Sequence, residues 1–434
     1  MKLTFDKCNV LEGLDLSSMK TDKFKTAVFK LSIAMPATVD EMDTALFALM
    51  VNVLKCGTEK YPEKADLIKR LGDLYDASCA IGGYASGDNR IFEISSEMLS
   101  DKFSAEGSIL EGVVELADQL LYHPLLDNDG DFPSDTVERE KQVICDKIRS
   151  EKNNSRAYAL KKCRAIMCQG EPYGCSVKSE VIIKITPKEL TAYYRDFLSH
   201  AVPSFSYVGD KEISDVAKTV EKYFCGESFG CSVPIAPLSC VVARDVRRCD
   251  EELDVKQGIL VMGFRSGILL GERFSEAMRV FNNIFGGTCT SRLFTVIREK
   301  MGLCYYCDSD YVSTKGILFV CSGIDSDNRE ITENEILRQL DLLREERVSD
   351  MELKSAKDMA IKELREMGDY QASIASFKYA YEVYGCDCDI DNLIARITSV
   401  TADDITTIAR MITLDTVFFL KGNGYCSEED YDYE

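Results

Sequence analysis

The chain repeats itself, and this repetition limits the folds open to it more than any other feature. A shift of 230 residues superposes Asn52 on Asn282 and Gly57-Thr58 on Gly287-Thr288. Further matches follow in the same order, with the shift changing to 227, 215 and 213 toward the end of each half. A collinear series over most of both halves indicates an internal duplication.

The length of 434 residues also exceeds what one hydrophobic core usually serves, about 250–300 residues. We therefore expect two homologous domains, residues 1–225 and 251–434. The segment 226–250, which contains much Gly, Ser, Cys and Pro, is predicted to be the linker between them.

Each half predicts the same order of elements. A strand (27–34; 258–264) leads to an amphipathic helix (40–56; 273–285), a second helix (64–74; 291–300) and further alternating segments. Such halves fold as an α+β sandwich, with helices packed on one face of a sheet.

Several helix ends are predicted from capping chemistry. Thr38-Val-Asp-Glu41 has the form of a capping box at the start of the first helix, and Gly57 provides its stop. Later helices are expected to start after Thr186 and Thr401, near the end of each half.

Composition excludes several classes of partner. The formal charge of −21 opposes binding to nucleic acid or to anionic membranes, because such binding depends on clustered Lys and Arg. The first residues do not have the form of a secretory signal, and no apolar run is long enough to span a membrane, so we expect a cytoplasmic protein. The 18 cysteines are accordingly predicted to be free thiols.

Three segments resemble the insulinase/pitrilysin metallopeptidases, whose inactive subunits include those of mitochondrial processing peptidase. These segments are Leu54–Pro62, Gly286–Phe294 and Ile297–Tyr305, and the resemblance covers nearly the whole chain. It implies the metallohydrolase-like fold of that family, in which each domain is a mostly antiparallel sheet with helices on one face.

Active members of this family carry an inverted zinc motif, H-x-x-E-H, on the helix that ends at the Gly-Thr pair. Two imidazoles one helical turn apart bind the metal, and the glutamate polarises the bound water. Aligned on Gly57-Thr58, the histidine positions hold Ala48 and Asn52, and the glutamate position holds Val51. The third ligand position, on a later helix, aligns with Lys147, whose ammonium would repel a cation. We therefore predict no catalytic residues, no metal at these positions and no cofactor.

The remaining candidate ligands give no stronger site. The chain has two histidines, His123 and His200, and neither has a metal-ligand neighbour at helical or turn spacing, so packing or helix-end roles are favoured. Cys304-x-x-Cys307 lacks a second pair, and on a strand its cysteines would point to opposite faces. Cys386-Asp-Cys388 likewise stands alone, and buried structural thiols are the preferred interpretation.

Two features of the family's substrate site are kept. The resemblance implies that Arg298 and Tyr305, seven residues apart, steady the substrate carbonyl or the oxyanion. The alternative is an ion pair of Arg298 with Glu299 and a half-buried strand tyrosine. Family members also bind peptides as an added strand, which would fall here near Gly82 and Gly83; a bulge is the other explanation.

The leading hypothesis is a catalytically inactive partner subunit. It would pair with a zinc-bearing peptidase subunit of the same fold and contribute to a peptide-binding chamber. The alternative is a homodimeric peptide-binding or scaffold protein with no proteolytic role, and a cysteine-dependent enzyme is the third possibility.

Overall fold

The structure is a computed structural model that describes residues 4–105, 107–227, 229–230 and 233–422. Its strands are β1 (Asp6–Leu11), β2 (Leu14–Lys20), β3 (Thr26–Pro36), β4 (Ala80–Ser86), β5 (Asn89–Leu99), β6 (Ser204–Gly209), β7 (Arg247–Leu253), β8 (Gly258–Arg265), β9 (Cys304–Val312), β10 (Ile317–Ile324) and β11 (Thr413–Gly422).

The helices alternate with these strands in both halves of the chain. They are α1 (Glu41–Val53), α2 (Lys64–Asp73), α3 (Ile109–Tyr122), α4 (Ser134–Ser150), α5 (Ser155–Met167), α6 (Ser179–Ile182), α7 (Pro187–His200), α8 (Ile213–Phe224), α9 (Ser275–Phe285), a π-helix (Phe294–Lys300), α10 (Arg329–Glu345), α11 (Asp350–Met367), α12 (Gln371–Glu382), α13 (Ile390–Ser399) and α14 (Ala402–Met411).

The chain forms two compact units, and each has one mixed sheet. In the first unit the strand order is β1-β2-β6-β3-β5-β4, and in the second it is β7-β11-β8-β10-β9. Strand β2 runs parallel to β6 as β7 does to β11, while the other neighbouring pairs are antiparallel. The two sheets therefore have the same topology apart from the additional β1, as a duplication requires, and the predicted α+β sandwich is confirmed.

The main core of the first unit lies between its sheet and a helical layer. Phe29 and Leu31 of β3 point into it, and the ring of Phe29 stacks on Phe205 of β6 at a centroid distance of 6.0 Å. Buried residues of α1, α3, α7 and α8 complete this core. It is the helical layer that the period-3.6 pattern of the sequence predicts.

Each unit also includes one helix from the other half of the chain. The first unit comprises residues 1–148, 171–237 and 365–389, and the second comprises 149–170, 238–364 and 390–434. Helix α12 thus belongs to the first unit, where Ile374 and Ala375 contact Val28 and Val208 on the face opposite the main core. Helix α5 belongs to the second unit and packs on β8, β10 and β11. The homologous domains and the linker at 226–250 remain a prediction, because the compact units are not continuous segments.

The α5 face of the second unit is closely packed. A Cβ placed on Gly263 would lie 2.6 Å from the sulfur of Met167, so the helix approaches the strand as near as a glycine allows. Two residues further along β8, Arg265 donates to the Met167 carbonyl at 2.8 Å and pairs with Asp415 of β11 at 3.3 Å. Both ionised side chains are almost fully buried.

Helix α1 differs from its prediction at both ends. Asp40, whose side chain accepts from the Met42 N–H, is the N-cap, so the capping box predicted at Thr38–Glu41 is wrong. The Thr38 hydroxyl instead donates to the carboxylate of Asp43, because the turn places it outside the first helical turn. The helix ends at Val53, and its C-cap is Leu54 rather than Gly57. A turn closed by a hydrogen bond from the Cys56 N–H to the Val53 carbonyl separates the helix from Gly57.

The capping boxes near the end of each half are confirmed. Thr186 and Glu189 satisfy each other's main-chain N–H groups at the start of α7, and Thr401 and Asp404 do so at α14. Of the helices in the described ranges, none combines the length and the apolar character that crossing a membrane requires.

We expect the buried ion pair of the second unit to matter far more than a surface pair. Asp415→Asn leaves the Arg265 guanidinium buried without its counter-ion, which costs about 3–5 kcal/mol in the free energy of unfolding. The matched control is Asp250→Asn, because Asp250 is exposed and pairs with Arg329 at the surface, where the loss is about 0–1 kcal/mol. Urea unfolding measures both, and losses of similar size would contradict the assignment.

Candidate functional site

Helix α1 is the helix on which the resemblance places the inverted zinc motif. Along it, Ala48 and Asn52 are half-buried, and Val51 is 5% exposed within the core of the first unit. Lys147 lies on α4 and is exposed. None of the four side chains at these positions is an imidazole or a carboxylate.

Asn52 is the one residue of this set with an oxygen donor suited to a metal, and its side chain is already bonded within the helix. Its amide nitrogen donates to the Ala48 carbonyl at 2.8 Å. Its amide oxygen accepts from the Lys55 ammonium at 3.3 Å. A cation at this oxygen would have to displace the ammonium group.

Two lysines affect each other near these positions. Burial, and then the charge of Lys147, lower the pKa of Lys55. Two ammonium groups thus lie close enough to affect each other, at a place where a divalent ion would need anionic or neutral ligands.

A cavity of about 660 Å³ adjoins this end of α1. Its lining includes Cys56, Glu63, Arg139 and Glu140. Burial, and then a hydrogen bond with Glu140, raise the pKa of Cys56 to about 11. The thiol is therefore protonated at neutral pH and is a poor nucleophile.

The two glycines predicted to bind peptide lie on β4, at one edge of the first sheet. Residues 83–85 of this strand are exposed. A Cβ on Gly83 would lie 2.5 Å from the Phe47 ring and 3.4 Å from Val51, whereas nothing lies within 4 Å of a Cβ on Gly82. Gly83 therefore lets α1 approach the edge strand, and Gly82 leaves open space beside it.

We expect the two glycines to respond differently to alanine. Gly83→Ala forces the buried Phe47 ring to move and costs about 1–3 kcal/mol in the free energy of unfolding. Gly82→Ala is the matched control and is expected to be neutral within about 0.5 kcal/mol, since a methyl group there meets no neighbour. Thermal unfolding followed by circular dichroism compares them, and equal stability of the two variants would contradict this packing role.

Arg298 lies in the π-helix of the second unit. An i→i+5 bond from the Met301 N–H to the Val296 carbonyl (2.9 Å) marks this wider turn, a form often found at functional sites. The guanidinium lies 4.6 Å from the centre of the Phe294 ring and 3.7 Å from Glu299, and it is partly exposed. The ion pair expected under the alternative interpretation is thus present, and it leaves the guanidinium accessible.

Tyr305 is presented to solvent by an irregularity in β9. Tyr306 pairs with Gly323 and Cys304 with Ile324, so Tyr305 is the extra residue of a bulge. Its side chain is 76% exposed rather than half-buried, which corrects the burial expected for a strand tyrosine.

The same bulge brings the thiols of Cys304 and Cys307 together, although regular strand geometry predicts opposite faces. A hydrogen bond from the Cys307 thiol lowers the pKa of Cys304 to about 7, with further contributions from Ser322 and Arg298 against the opposing effect of burial. Cys307 is buried, and its own pKa is raised well above the usual value, so it remains the donor.

We expect Cys304 to react with iodoacetamide at lower pH than an ordinary cysteine. Its thiolate fraction, and so its alkylation rate, rises through about pH 7 and levels off above it, because the thiolate is the nucleophile. Peptide mass spectrometry over a pH series measures the midpoint. In Cys307→Ala, which removes the donor, the midpoint should move upward, and an unchanged profile would contradict the thiol–thiol hydrogen bond.

The histidines differ from each other in their surroundings. His200 is the last residue of α7, where its Nδ1 lies 2.9 Å from the Asp196 carbonyl oxygen, in keeping with the predicted helix-end role. His123 follows α3 and lies beside the carboxylates of Asp118 and Glu227. The sequence missed this cluster, because Asp118 is five residues before the histidine and Glu227 is remote in the chain.

Comparison with known proteins places this fold and these positions in context. Residues 184–360 match the family described as "Peptidase M16 inactive domain". The Bacillus subtilis protein named probable inactive metalloprotease YmfF is 29% identical over 413 residues, which cover 94% of this chain and 96% of that protein. A second Bacillus subtilis protein, named uncharacterized zinc protease YmxG, is 26% identical over 187 residues. That match covers 41% of this chain and 43% of YmxG.

Solved structures share the fold over the whole chain. A conserved protein from Enterococcus faecalis has a TM-score of 0.87 at 23% identity, covering 98% of this chain and all of its own. A peptidase M16 inactive domain from Pseudomonas fluorescens has a TM-score of 0.80 at 17% identity, and the match covers 97% of this chain and 98% of that one. The inactive-domain match and the relative named inactive support the resemblance of this chain to the insulinase (M16) family of metallopeptidase homologues, and the solved structures show that it shares their fold.

Proposed function

We propose that this chain is a non-catalytic subunit that joins a zinc-bearing peptidase of the same fold and helps to hold its peptide substrate. One observation carries the proposal. On α1, where the resemblance places the zinc motif, the amide nitrogen and the amide oxygen of Asn52 are both hydrogen-bonded within the chain. The 434 residues contain no H-x-x-E-H, so zinc held by that motif, and the water that it activates, has to come from a partner.

Arg298 and Tyr305 are the residues we assign to the substrate. A guanidinium and a phenol are hydrogen-bond donors able to stabilise a carbonyl oxygen that gains negative charge. Both are partly or largely exposed, and Arg298 gives up only a surface ion pair at 3.7 Å to reach a ligand. Such a pair contributes little to stability, so the arginine is free to change partners.

The edge of β4 is the second proposed contact with peptide. Its exposed residues 83–85 present main-chain groups along an edge that no other strand of the described chain covers. An extended peptide bonding there would become an additional strand, with Gly82 leaving room for its side chains. We place this function in the cytoplasm.

The first test is to recover the tagged full chain from its own cells and to identify what accompanies it. The proposal expects a companion of the same family that carries H-x-x-E-H, and hydrolysis of a quenched fluorescent peptide only by the complex. Recovery of a homodimer alone that binds peptide without cutting it would favour the peptide-holding or scaffold alternative.

The second test removes one donor from that complex. We expect Arg298→Ala to lower kcat/KM by about a hundredfold, the usual effect of deleting one oxyanion donor. Lys300→Ala, in the same π-helix, is the matched control for loss of a positive charge and should leave the rate unchanged. Equal rates for the two variants would remove the role assigned to Arg298.

A further inference from the structure

Three potential metal ligands from distant parts of the chain meet in the first unit. Asp118 lies in the last turns of α3, His123 follows that helix, and Glu227 follows α8. One ligand atom from each lies within 4.8 Å of the others. The Nε2 atom of His123 is 3.5 Å from Asp118 Oδ2 and 3.3 Å from Glu227 Oε1.

The main chain holds the histidine in place from both sides. Its N–H donates to the Gln119 carbonyl at 3.1 Å, and its own carbonyl accepts from the Glu59 N–H at 2.9 Å. The next residue, Pro124, forms a β-bridge with Thr58. A ligand anchored in this way does not need to be ordered when an ion binds, which lowers the entropic cost of binding.

The nitrogen–oxygen distances fit coordination better than direct hydrogen bonding. N–H···O hydrogen bonds are usually about 2.7–3.2 Å long. Ligands about 2.0–2.1 Å from a tetrahedral zinc ion are about 3.3–3.4 Å from each other. The two separations at His123, 3.5 and 3.3 Å, are close to that edge length.

Unsatisfied polar atoms point to a missing ligand. Asp118 is 4% exposed, and its Oδ1 has no hydrogen-bond partner within the described chain. The Tyr122 hydroxyl is also buried without a partner in that part of the chain. Buried polar atoms almost always have partners, so these two require an explanation such as an ion or water.

Electrostatics favour a cation at this position. The almost fully buried carboxylate of Asp118 and the carboxylate of Glu227 both lie beside the imidazole of His123. The nearby Glu115 is already bonded to Arg70 at 3.0 Å and to Tyr61 at 3.2 Å. The two carboxylates of the cluster therefore keep an uncompensated negative charge when His123 is neutral.

We propose that Asp118, His123 and Glu227 bind one divalent transition-metal ion, with Zn²⁺ as the preferred ion. One imidazole and two carboxylates form a mixed nitrogen and oxygen set that zinc accepts, and a neutral imidazole is the form that binds. His123 and Glu227 are partly exposed, so the ion can enter from solvent and complete its coordination with water. The site uses none of the positions 48, 51 and 52 of α1, and its ligands lie at the ends of α3 and α8.

Zinc titration of the EDTA-treated full chain against a chromophoric chelator tests the proposal. We expect one equivalent bound by the wild type, at least tenfold weaker binding in His123→Ala, and unchanged binding in His200→Ala as the matched histidine control. Glu227→Gln provides a second variant outside any helix, in case His123→Ala does not fold. Zinc should also raise the melting temperature of the wild type but not of the two site variants.

Cobalt distinguishes this site from the many thiols of the chain. Co²⁺ bound by nitrogen and oxygen gives visible bands without the near-ultraviolet absorption of a cobalt–thiolate bond. Those visible bands should appear in the wild type and in His200→Ala and be lost in His123→Ala. Zinc binding that is equal in His123→Ala and wild type, or absent from wild type, would overturn the proposal.

Discussion

Strands β3 and β8 lie at the centre of their sheets and are buried on both faces, and the rest of the structure depends on covering those faces. The helical layer formed within each half covers one face. The other face is covered by α12 in the first unit and by α5 in the second, and each comes from the other half of the chain. Each half of the chain thus supplies one helix to the unit formed mainly by the other half. The two halves depend on each other, since one face of each sheet would be uncovered without that helix.

The exchanged helices also explain buried polar groups on these faces. Lys30 of β3 is almost fully buried and donates to Glu93 at 2.9 Å and to Ser376 of α12 at 2.8 Å. On the corresponding face of the second unit, Arg265 bonds to Asp415 and to the main chain at the end of α5. A buried charge is tolerated where it is both paired and hydrogen-bonded, and in both units the exchanged helix supplies part of that bonding.

Much of the fold could be predicted from the sequence, because it rests on local signals. The capping boxes at Thr186 and Thr401 need only residues three positions apart, and both are confirmed. The capping box predicted at Thr38–Glu41 was wrong, because Asp40, two residues after Thr38, caps α1 instead. The Cys304 and Cys307 thiols were placed on opposite faces because a bulge has no signal in the period-2 pattern.

The sequence by itself predicted the duplication and determined the family resemblance and the absence of H-x-x-E-H, because each is a matter of which residue types stand at which spacing. Tertiary structure alone decided three contacts. Gly83 makes room for α1, and the Lys55 ammonium donates a hydrogen bond to the amide oxygen of Asn52. Asp118 and Glu227 lie beside His123. The physical reason is the same in all three cases. These contacts depend on the angle and separation at which whole helices and strands pack, and no local pattern of residues encodes those distances.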